Sequence, residues 1–178
     1  MKDKDIDLLG LDLQGSKLIH RGKKELIYLM PDNKIIKFCK NVDECRREYL
    51  ILRYCQNNKY FPKVYSYRMG YIIREYIDGV CLIDYIKKNS LDESLALSLV
   101  DLIENFQLLG FTRLDTGISH IFITENGQLK VIGLKNNYHR KEKYPKHMIS
   151  GLRKLKVSKK FFKILKHSRP ELYEKWKK

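Results

Sequence analysis

Lys37 and Glu48 are oppositely charged residues whose surroundings point to a chemical task. Lys37 lies in the apolar segment KIIKFCK, and Glu48 follows eleven residues later in the predicted helical segment CRREYLIL. A lysine on a strand that pairs with a glutamate on a helix can direct its ammonium group toward the phosphates of a nucleotide. We therefore predict an ion pair between these two side chains and assign both to a candidate cofactor-binding site.

The segment TRLDTGISHIFITENGQLKVIGLKN, residues 112–136, contains a second group of candidate residues. Asp115 is followed five residues later by His120, then by a short apolar strand, an Asn-Gly turn and a second strand. This is the layout of a phosphoryl-transfer site, except that a metal-binding Asp normally stands where this chain has Gly133. The segment therefore belongs either to an enzyme or to a protein that keeps only the architecture of one.

Hydrophobic periodicity predicts the elements that position the first group of residues. Alternating apolar residues favour strands in KLIHRGKKELIYLM and KIIKFCK, joined by the turn at 31–33. Residues 42–57 follow a helical pattern, with Val42, Cys45, Tyr49 and Leu52 on one face. The segment KVYSYRMGYIIREYI then predicts two strands around a Met-Gly turn.

The second half of the chain is predicted to be mostly helical. A capping box at Ser90–Glu93 opens a long helix that runs to Leu109, before Gly110. The segments HIFIT and QLKVIGL form a hairpin around Asn126-Gly127, since Asn-Gly is a strong signal for a tight turn. Three basic helices follow, in MISGLRKLKV, KKFFKILKHS and ELYEKWKK.

This order of elements predicts an α+β fold: an antiparallel sheet that carries one helix, followed by a reduced helical half. The length of 178 residues fits a single domain. We place the sheet half at 1–75, a hinge at 76–79 and the helical half at 80–178, with a cleft between the halves.

Composition narrows the class of protein. The hydrophobic fraction of 43% can supply a core, and no run of 18 apolar residues predicts a membrane span. The charged N-terminus lacks the apolar segment of a signal peptide. The four cysteines include no C-x-x-C pair, so we expect reduced thiols in a cytoplasmic protein, with a disulfide or zinc site as the alternative.

The net charge of +15 is concentrated near the C-terminus. From Lys135 to Lys178 there are 16 Lys or Arg residues against 3 Glu. Such a region could bind nucleic acid, an anionic membrane surface or an acidic protein, or it could be a solvated helical face.

Two further segments contain candidate nucleotide-binding groups. The segment IHRGKKELIYL lines up with a glycine-rich phosphate-covering loop, G-x-G-x-x-G-x-V-Y, but keeps only the middle glycine, Gly22. His20 and Glu25 occupy the outer positions, so close backbone contact with phosphate is reduced. In REYIDGVCLIDYI, backbone groups of Glu75 and Ile77 could hydrogen-bond the edge of an adenine ring.

Taken together, these segments resemble the protein-kinase fold, especially its compact prokaryotic Ser/Thr-kinase-like members. Lys37 matches the lysine of the family's third strand, and Glu48 matches the glutamate of its αC helix. RLDTGISHIFI is similar to the catalytic loop H-R-D-L-x-x-x-N-I-L-L, and GQLKVIGLKN to the strand and turn L-K-L-I-D-F-G. The resemblance covers roughly residues 15–136 and keeps the order of the motifs, although none is intact.

The resemblance implies a role for each candidate residue. Asp115 would be the catalytic base, with a structural role in holding its loop as the alternative. His120 would be a metal ligand, a phosphate contact, a structural hydrogen-bonding group or merely exposed. The remaining candidates would contact ATP: Gly22, Lys37, Glu48, Glu75, Ile77 and Lys135. Lys135 could meet phosphate directly without a metal, or could simply belong to the basic region.

The departures from the family pattern affect the metal site above all. His120 replaces the metal-binding Asn, and Gly133 replaces the metal-binding Asp. Arg113-Leu114 replaces the His-Arg that precedes the catalytic Asp. Magnesium prefers oxygen ligands, and neither imidazole nor glycine supplies one. We therefore expect weak ATP binding with little dependence on magnesium.

Three functions remain open from the sequence. The first is a pseudokinase or strongly impaired Ser/Thr kinase, with a residual nucleotide-binding cleft and a scaffolding or regulatory role. The second is an active, atypical Ser/Thr kinase that transfers phosphate from ATP, for which the basic region would favour an acidic protein substrate. The third is a nucleic-acid- or polyanion-binding protein that uses the basic C-terminal helices on a kinase-like platform.

Overall fold

The computed structural model describes residues 13–134, 136–138 and 140–177. The chain forms two compact units. Unit 1 contains the described residues up to Asn57 together with Pro62–Tyr76. Unit 2 contains Asn58–Phe61 and the described residues from Ile77 onward. An antiparallel sheet together with separate helices makes the fold α+β, as predicted.

Unit 1 is a five-stranded antiparallel sheet with one helix, and the strand order is β1-β2-β3-β5-β4. Its elements are β1 (Lys17–Arg21), β2 (Glu25–Leu29), β3 (Lys34–Cys39), α1 (Val42–Tyr54), β4 (Val64–Arg68) and β5 (Tyr71–Glu75). The segment predicted as one strand before the turn at 31–33 is therefore two strands. The Gly22 N–H donates to the Glu25 carbonyl at 2.9 Å, which closes a turn between them.

The two faces of this sheet have different roles. Successive residues of a strand point to opposite faces. One face carries an apolar cluster formed by Leu26, Ile36, Phe38 and Tyr71. Lys37 lies between Ile36 and Phe38 on central strand β3, so its side chain points to the other face, and α1 contacts β3 and β5.

Helix α1 begins with a side-chain cap and buries a charged residue. The Asn41 Oδ1 accepts a hydrogen bond from the Glu44 N–H at 2.9 Å, which satisfies one of the first amides of the helix. The buried residues are Cys45, Glu48, Ile51 and Leu52. Val42, which was predicted on the buried face, is 39% exposed. The helix ends at Tyr54, three residues before the predicted end at residue 57.

Unit 2 combines a small antiparallel sheet, of order β6-β7-β8, with five helices in its described residues. Its strands are β6 (Gly79–Cys81), β7 (Ile121–Thr124) and β8 (Leu129–Val131). Its helices are α2 (Leu82–Asn89), α3 (Glu93–Leu108), α4 (Lys146–Lys154), α5 (Ser158–Ser168) and α6 (Pro170–Trp176), and a 3-10 turn covers Ile118–His120. The predicted hairpin around Asn126-Gly127 is confirmed as β7 and β8.

The predicted capping box is wrong, because Asp92 and not Ser90 caps α3. The Asp92 Oδ1 accepts the Leu95 N–H at 2.7 Å. Ser90 instead ends the preceding helix α2, with a φ of 66°. Neither α2 nor β6 was predicted, since both are short and lie in a segment interpreted as a connector.

No helix in the described part of the chain is long and apolar enough to span a membrane. The longest, α3, has 16 residues and supplies buried side chains such as Leu99, Leu102 and Phe106 to the core of unit 2. Its apolar character therefore reflects packing within the protein.

Candidate functional site

The predicted ion pair between Lys37 and Glu48 is confirmed. The Lys37 Nζ lies 2.8 Å from the Glu48 Oε2, and both residues are buried. Strand β3 and helix α1 bring them together across one face of the sheet. In this geometry the ammonium donates a hydrogen bond to the carboxylate and the two charges neutralise each other, as burial of both groups requires.

A second carboxylate also contacts Lys37. The Glu25 Oε2, at the start of β2, lies 2.8 Å from the Lys37 Nζ. Burial alone would lower the pKa of Lys37, but the charges of Glu48 and Glu25 outweigh it, so the pKa is raised. The ammonium is therefore firmly protonated, and its positive charge is matched by two negative charges of the same unit.

Arg74, on β5, adds a second buried cation to this region. It is only 5% exposed, and its Nη1 donates a hydrogen bond to the Glu75 carbonyl at 2.8 Å. Burial lowers the pKa of Arg74, while the charges of Glu48, Glu25 and Glu75 act in the opposite direction. The cluster of Lys37, Arg74, Glu25 and Glu48 therefore carries no net charge when all four are ionised; we call it the Lys37 cluster.

The backbone of Gly22 is also engaged. Its N–H donates to the Glu25 carbonyl, so this amide closes the turn between β1 and β2. A Cβ at Gly22 would lie 2.9 Å from the His20 Nε2, which is too close for a side chain without movement of the imidazole. The Gly22 amide is therefore committed to the turn and is not oriented toward an external phosphate.

Glu75 and Ile77, the two hinge candidates, lie on either side of the point where unit 1 ends. In unit 1, the Glu75 N–H donates to the Lys63 carbonyl and its Oε2 accepts the Lys63 N–H, both at 2.8 Å. The Glu75 carbonyl accepts from Arg74. In unit 2, Ile77 is buried at 8% exposure. The backbone carbonyl that an adenine amine would need at Glu75 therefore already has an internal donor.

Asp115 of unit 2 is completely buried and anchors a distant helix. Its Oδ1 accepts the His147 N–H at 2.9 Å and the Met148 N–H at 3.3 Å. Its Oδ2 contacts the His147 Nδ1 and lies 3.7 Å from the Arg113 Nη2. Pro145, at the start of α4, makes no side-chain cap bond. An N-cap residue normally provides the acceptor for these amides. Here Asp115, which lies 32 residues before His147, provides it instead.

This anchoring changes what Asp115 can do chemically. A general base must come within hydrogen-bond reach of the hydroxyl proton that it removes. The Asp115 side chain has no exposed surface, and both of its oxygens are in contact with groups of unit 2. The carboxylate is therefore placed to hold α4, and of the two alternatives for this residue the geometry favours the structural one.

The 3-10 turn after Asp115 is fixed to the same helix. A Cβ at Gly151, on α4, would lie 2.5 Å from the Ile118 Cγ1, so no larger residue fits without displacing Ile118. Ile118 is 7% exposed. The segment from Asp115 to His120 is therefore attached to α4 twice, by hydrogen bonds at the start of the helix and by apolar packing one turn further on.

His120 and Gly133 lie beside each other at the positions expected for metal ligands. His120 is exposed, and its carbonyl accepts the Ile132 N–H at 3.0 Å. A Cβ at Gly133 would lie 3.6 Å from the His120 ring, and Gly133 has a φ of +78°. Within the described ranges, no three His, Cys, Asp or Glu groups converge on a point that could hold a metal ion. Lys135, the last predicted phosphate contact, lies outside the described residues.

Sequence reasoning missed three side chains of these sites: Glu25 on Lys37, Arg74 and His147. The sequence did contain a signal for Glu25, because an acidic residue within a phosphate-covering loop opposes phosphate binding and is unexpected there. Arg74 stands among apolar residues in YIIREYI, which could have indicated a buried cation. No local signal ties His147 to Asp115.

Comparisons with known proteins support the fold through structure rather than through sequence. No protein family matches the sequence, and no curated protein does. The Cydia pomonella granulovirus kinase PK-1 is structurally similar, with a TM-score of 0.53 and 15% sequence identity. The match covers 74% of this chain and 55% of the viral kinase, so the chain spans about half the length of that protein. The fold is protein-kinase-like.

Proposed function

We propose that this protein is a pseudokinase, a kinase-like protein that does not transfer phosphate and binds nucleotide weakly or not at all. The observation that carries this proposal is the burial of Asp115 against the first amides of α4. The Asp115 side chain has no exposed surface and is engaged by two backbone N–H groups and an imidazole, which supports a structural role over the removal of a proton from a substrate hydroxyl.

The groups of unit 1 support the same proposal for nucleotide binding. A phosphate that approached Lys37 would also meet the negative charge of Glu25, 2.8 Å from the same ammonium. The Gly22 amide and the Glu75 carbonyl have internal partners. The Gly22 amide would have to give up its bond before it could donate to a nucleotide, which subtracts from the binding free energy, and the Glu75 carbonyl would have to accept a second donor beside Arg74.

The altered metal positions add to this argument. Magnesium bridges the phosphates of ATP in phosphoryl transfer and prefers oxygen ligands. His120 offers imidazole nitrogen and Gly133 offers no side chain. A protein of this kind acts by binding other molecules, as a scaffold or a regulator.

A thermal-shift titration with ATP, with and without magnesium, tests the proposal. Ligand at about 100 times Kd stabilises a protein by roughly 2.7 kcal/mol. We expect the wild-type protein to show a far smaller shift at millimolar ATP, and no phosphate transfer to a generic basic protein. A large magnesium-dependent shift together with phosphate transfer would establish an active, atypical kinase and overturn the proposal.

Two sets of variants locate the cause of weak binding. His120→Asn with Gly133→Asp restores both oxygen ligands; Asp tolerates the left-handed backbone better than most residues, and a Cβ at Gly133 meets only ordinary contacts. Glu25→Gln removes the extra negative charge from Lys37. Asp43→Asn, an exposed change of equal charge in unit 1, is the matched control.

We expect Glu25→Gln to raise ATP affinity relative to Asp43→Asn, because the Lys37 ammonium then keeps only Glu48 as an anionic partner. The variant His120→Asn with Gly133→Asp, which we call the metal-site variant, should at most gain magnesium-dependent binding of ATP. It should not transfer phosphate, since Asp115 remains buried. Transfer by the metal-site variant would mean that Asp115 is accessible in solution, which contradicts the proposal.

A further inference from the structure

The chain contains a long stretch with many cations and no acids. Between Lys143 and Pro170 there are ten Lys or Arg residues and no Asp or Glu. This stretch forms α4 and α5, and α6 follows it. Cationic helices with ordinary solvated faces usually contain acidic residues as well, because opposite charges three or four positions apart stabilise a helix.

The helices α5 and α6 and the end of α4 enclose a groove of about 540 Å³. Ser158, Phe162 and Tyr173 contribute to its lining. Five cationic side chains surround it, and all five are exposed: Arg153, Lys159, Lys163, Lys166 and Lys177. We call this the cationic groove. Among the residues that the structure describes, no acidic residue lines it, although Glu174 on α6 pairs with Lys177 at 2.5 Å.

Three of the lysines form a row on α5. Lys159, Lys163 and Lys166 are spaced four and three residues apart, so they project from one face of the helix. At 1.5 Å per residue, the row is about 10 Å long. The first turn of α5 contains no acid, and like charges at this spacing destabilise a helix. The row therefore lowers the stability of α5, and a bound anionic ligand would offset this loss.

Two aromatic rings lie among these cations. Phe162 and Tyr173 are half-buried, with ring centroids 6.1 Å apart and planes at 77°. The Lys166 Nζ lies 5.7 Å and the Lys177 Nζ 5.4 Å from the centroid of the Tyr173 ring. A planar group that stacks on Tyr173 would thus be adjacent to two ammonium groups.

We propose that the cationic groove binds single-stranded nucleic acid. Its lysines match the phosphates of a backbone, and its aromatic rings match unstacked bases, which is the combination found in proteins that bind single strands. The carboxylates of an acidic peptide would use the cations but offer no aromatic face to the two rings, and a duplex keeps its base faces stacked. This inference is independent of nucleotide binding by unit 1.

The test is fluorescence anisotropy of the full-length protein with a labelled twelve-nucleotide oligouridylate, titrated at several salt concentrations. The groove variant is Lys163→Gln with Lys166→Gln. The control variant is Lys87→Gln with Lys88→Gln on α2, which removes the same charge from exposed helical positions. For single strands, each lost phosphate contact lowers the slope of log affinity against log salt by roughly 0.7.

We expect the groove variant to lose affinity about tenfold and to lower the slope by roughly 1.4. The control variant should change affinity less than about twofold, because a distant charge is largely screened. Tyr173→Leu, which keeps an apolar side chain, should weaken binding at least about fivefold through lost stacking.

Three results would overturn the inference. One is an equal loss in the groove and control variants, which would indicate attraction to net charge alone. Another is equal or tighter binding of the corresponding duplex. The third is more effective competition by polyglutamate than by unlabelled oligouridylate, which would identify an acidic protein as the ligand.

Discussion

The Lys37 cluster of unit 1 and the Asp115 site of unit 2 hold their buried charged residues in two different ways. In unit 1, side chains neutralise each other: Lys37 contacts Glu48 and Glu25, while Arg74 adds the second cation. In unit 2, Asp115 is held mainly by backbone amides at the start of α4. One arrangement is a balance of side-chain charges, and the other is part of a helix terminus.

This difference determines how each site can change. A single substitution at Glu25 would remove one negative charge from Lys37 and leave the Glu48 pair in place. The amides of His147 and Met148 belong to the backbone of α4, so substitution of those side chains leaves these two contacts of Asp115 in place. The charges around Lys37 can therefore be altered by substitution more directly than the backbone contacts of Asp115.

The largest expected effect is that of breaking the Lys37 cluster. Lys37→Met leaves the buried Glu48 carboxylate without its ammonium partner, so the free energy of unfolding should fall by about 3 to 5 kcal/mol. Urea denaturation measures this change. Adding Glu48→Leu should restore part of the loss, since an apolar pair can replace a buried ion pair. A double variant no more stable than Lys37→Met would show that the Glu48 carboxylate does not need the Lys37 ammonium to be buried without loss of stability.

Removing the anchor of α4 should have the next largest effect. Asp115→Ala leaves the amides of His147 and Met148 without their acceptor, so the free energy of unfolding should fall by about 2 to 3 kcal/mol. Asp92→Ala, which removes an ordinary cap from α3, is the control and should cost about 1 kcal/mol. Equal losses in the two variants would mean that Asp115 acts only as a conventional cap.

Cys55 provides a pH-dependent probe of unit 1. Burial raises the pKa of Cys55 to about 12, whereas an unfolded thiol titrates near 8.5. Above pH 8.5 the unfolded chain releases a proton that the folded chain retains, so stability should decrease as pH rises toward 12. The slope from this thiol is at most about 1.4 kcal/mol per pH unit.

The control for this probe is Cys55→Ala, compared with the wild type at each pH. The difference in free energy of unfolding between the two proteins should shrink as pH rises above 8.5, because only the wild type contains the Cys55 thiol. A difference that stays constant up to pH 11 would mean that Cys55 ionises equally well in both states.

Glu25→Gln should have the smallest effect on stability. The Glu25 side chain is 30% exposed and Lys37 keeps Glu48, so we expect a loss of less than about 1 kcal/mol in urea denaturation. Comparison with Glu48→Gln, which removes the buried carboxylate, separates the two partners of Lys37. If Glu25→Gln lowered the free energy of unfolding as much as Glu48→Gln does, the Lys37 cluster would not tolerate the loss of Glu25. The contrast drawn with the Asp115 site would then be wrong.

Local sequence signals predicted much of the fold. The Asn126-Gly127 turn fixes its hairpin through adjacent residues, and the apolar periodicity of α1 and α3 is visible within each segment. The prediction of a capping box at Ser90 was wrong because Ser and Asp are both favoured N-cap residues. Only the direction of the chain after α2 determines which of Ser90 and Asp92 caps α3. The Lys37–Glu48 pair was predictable because its residue types and spacing are characteristic.

The partners of the candidate residues were less predictable. His147 lies 32 residues after Asp115, so their contact depends on the path of the whole intervening chain. Arg74 was not among the predicted site residues, because its burial depends on the packing of β5 and not on adjacent residues alone. The cationic groove was expected only as a basic region, since its shape depends on how α5 packs against α6.

The double attachment of the 115–120 segment to α4 also has a consequence for hydrogen exchange. Asp115 holds the first amides of the helix, and Gly151 receives Ile118 one turn later. Segments joined by both hydrogen bonds and packing tend to open together as one cooperative unit. The amides of His147, Met148 and His120 should therefore exchange with deuterium at similar rates, and Asp115→Ala should accelerate all three.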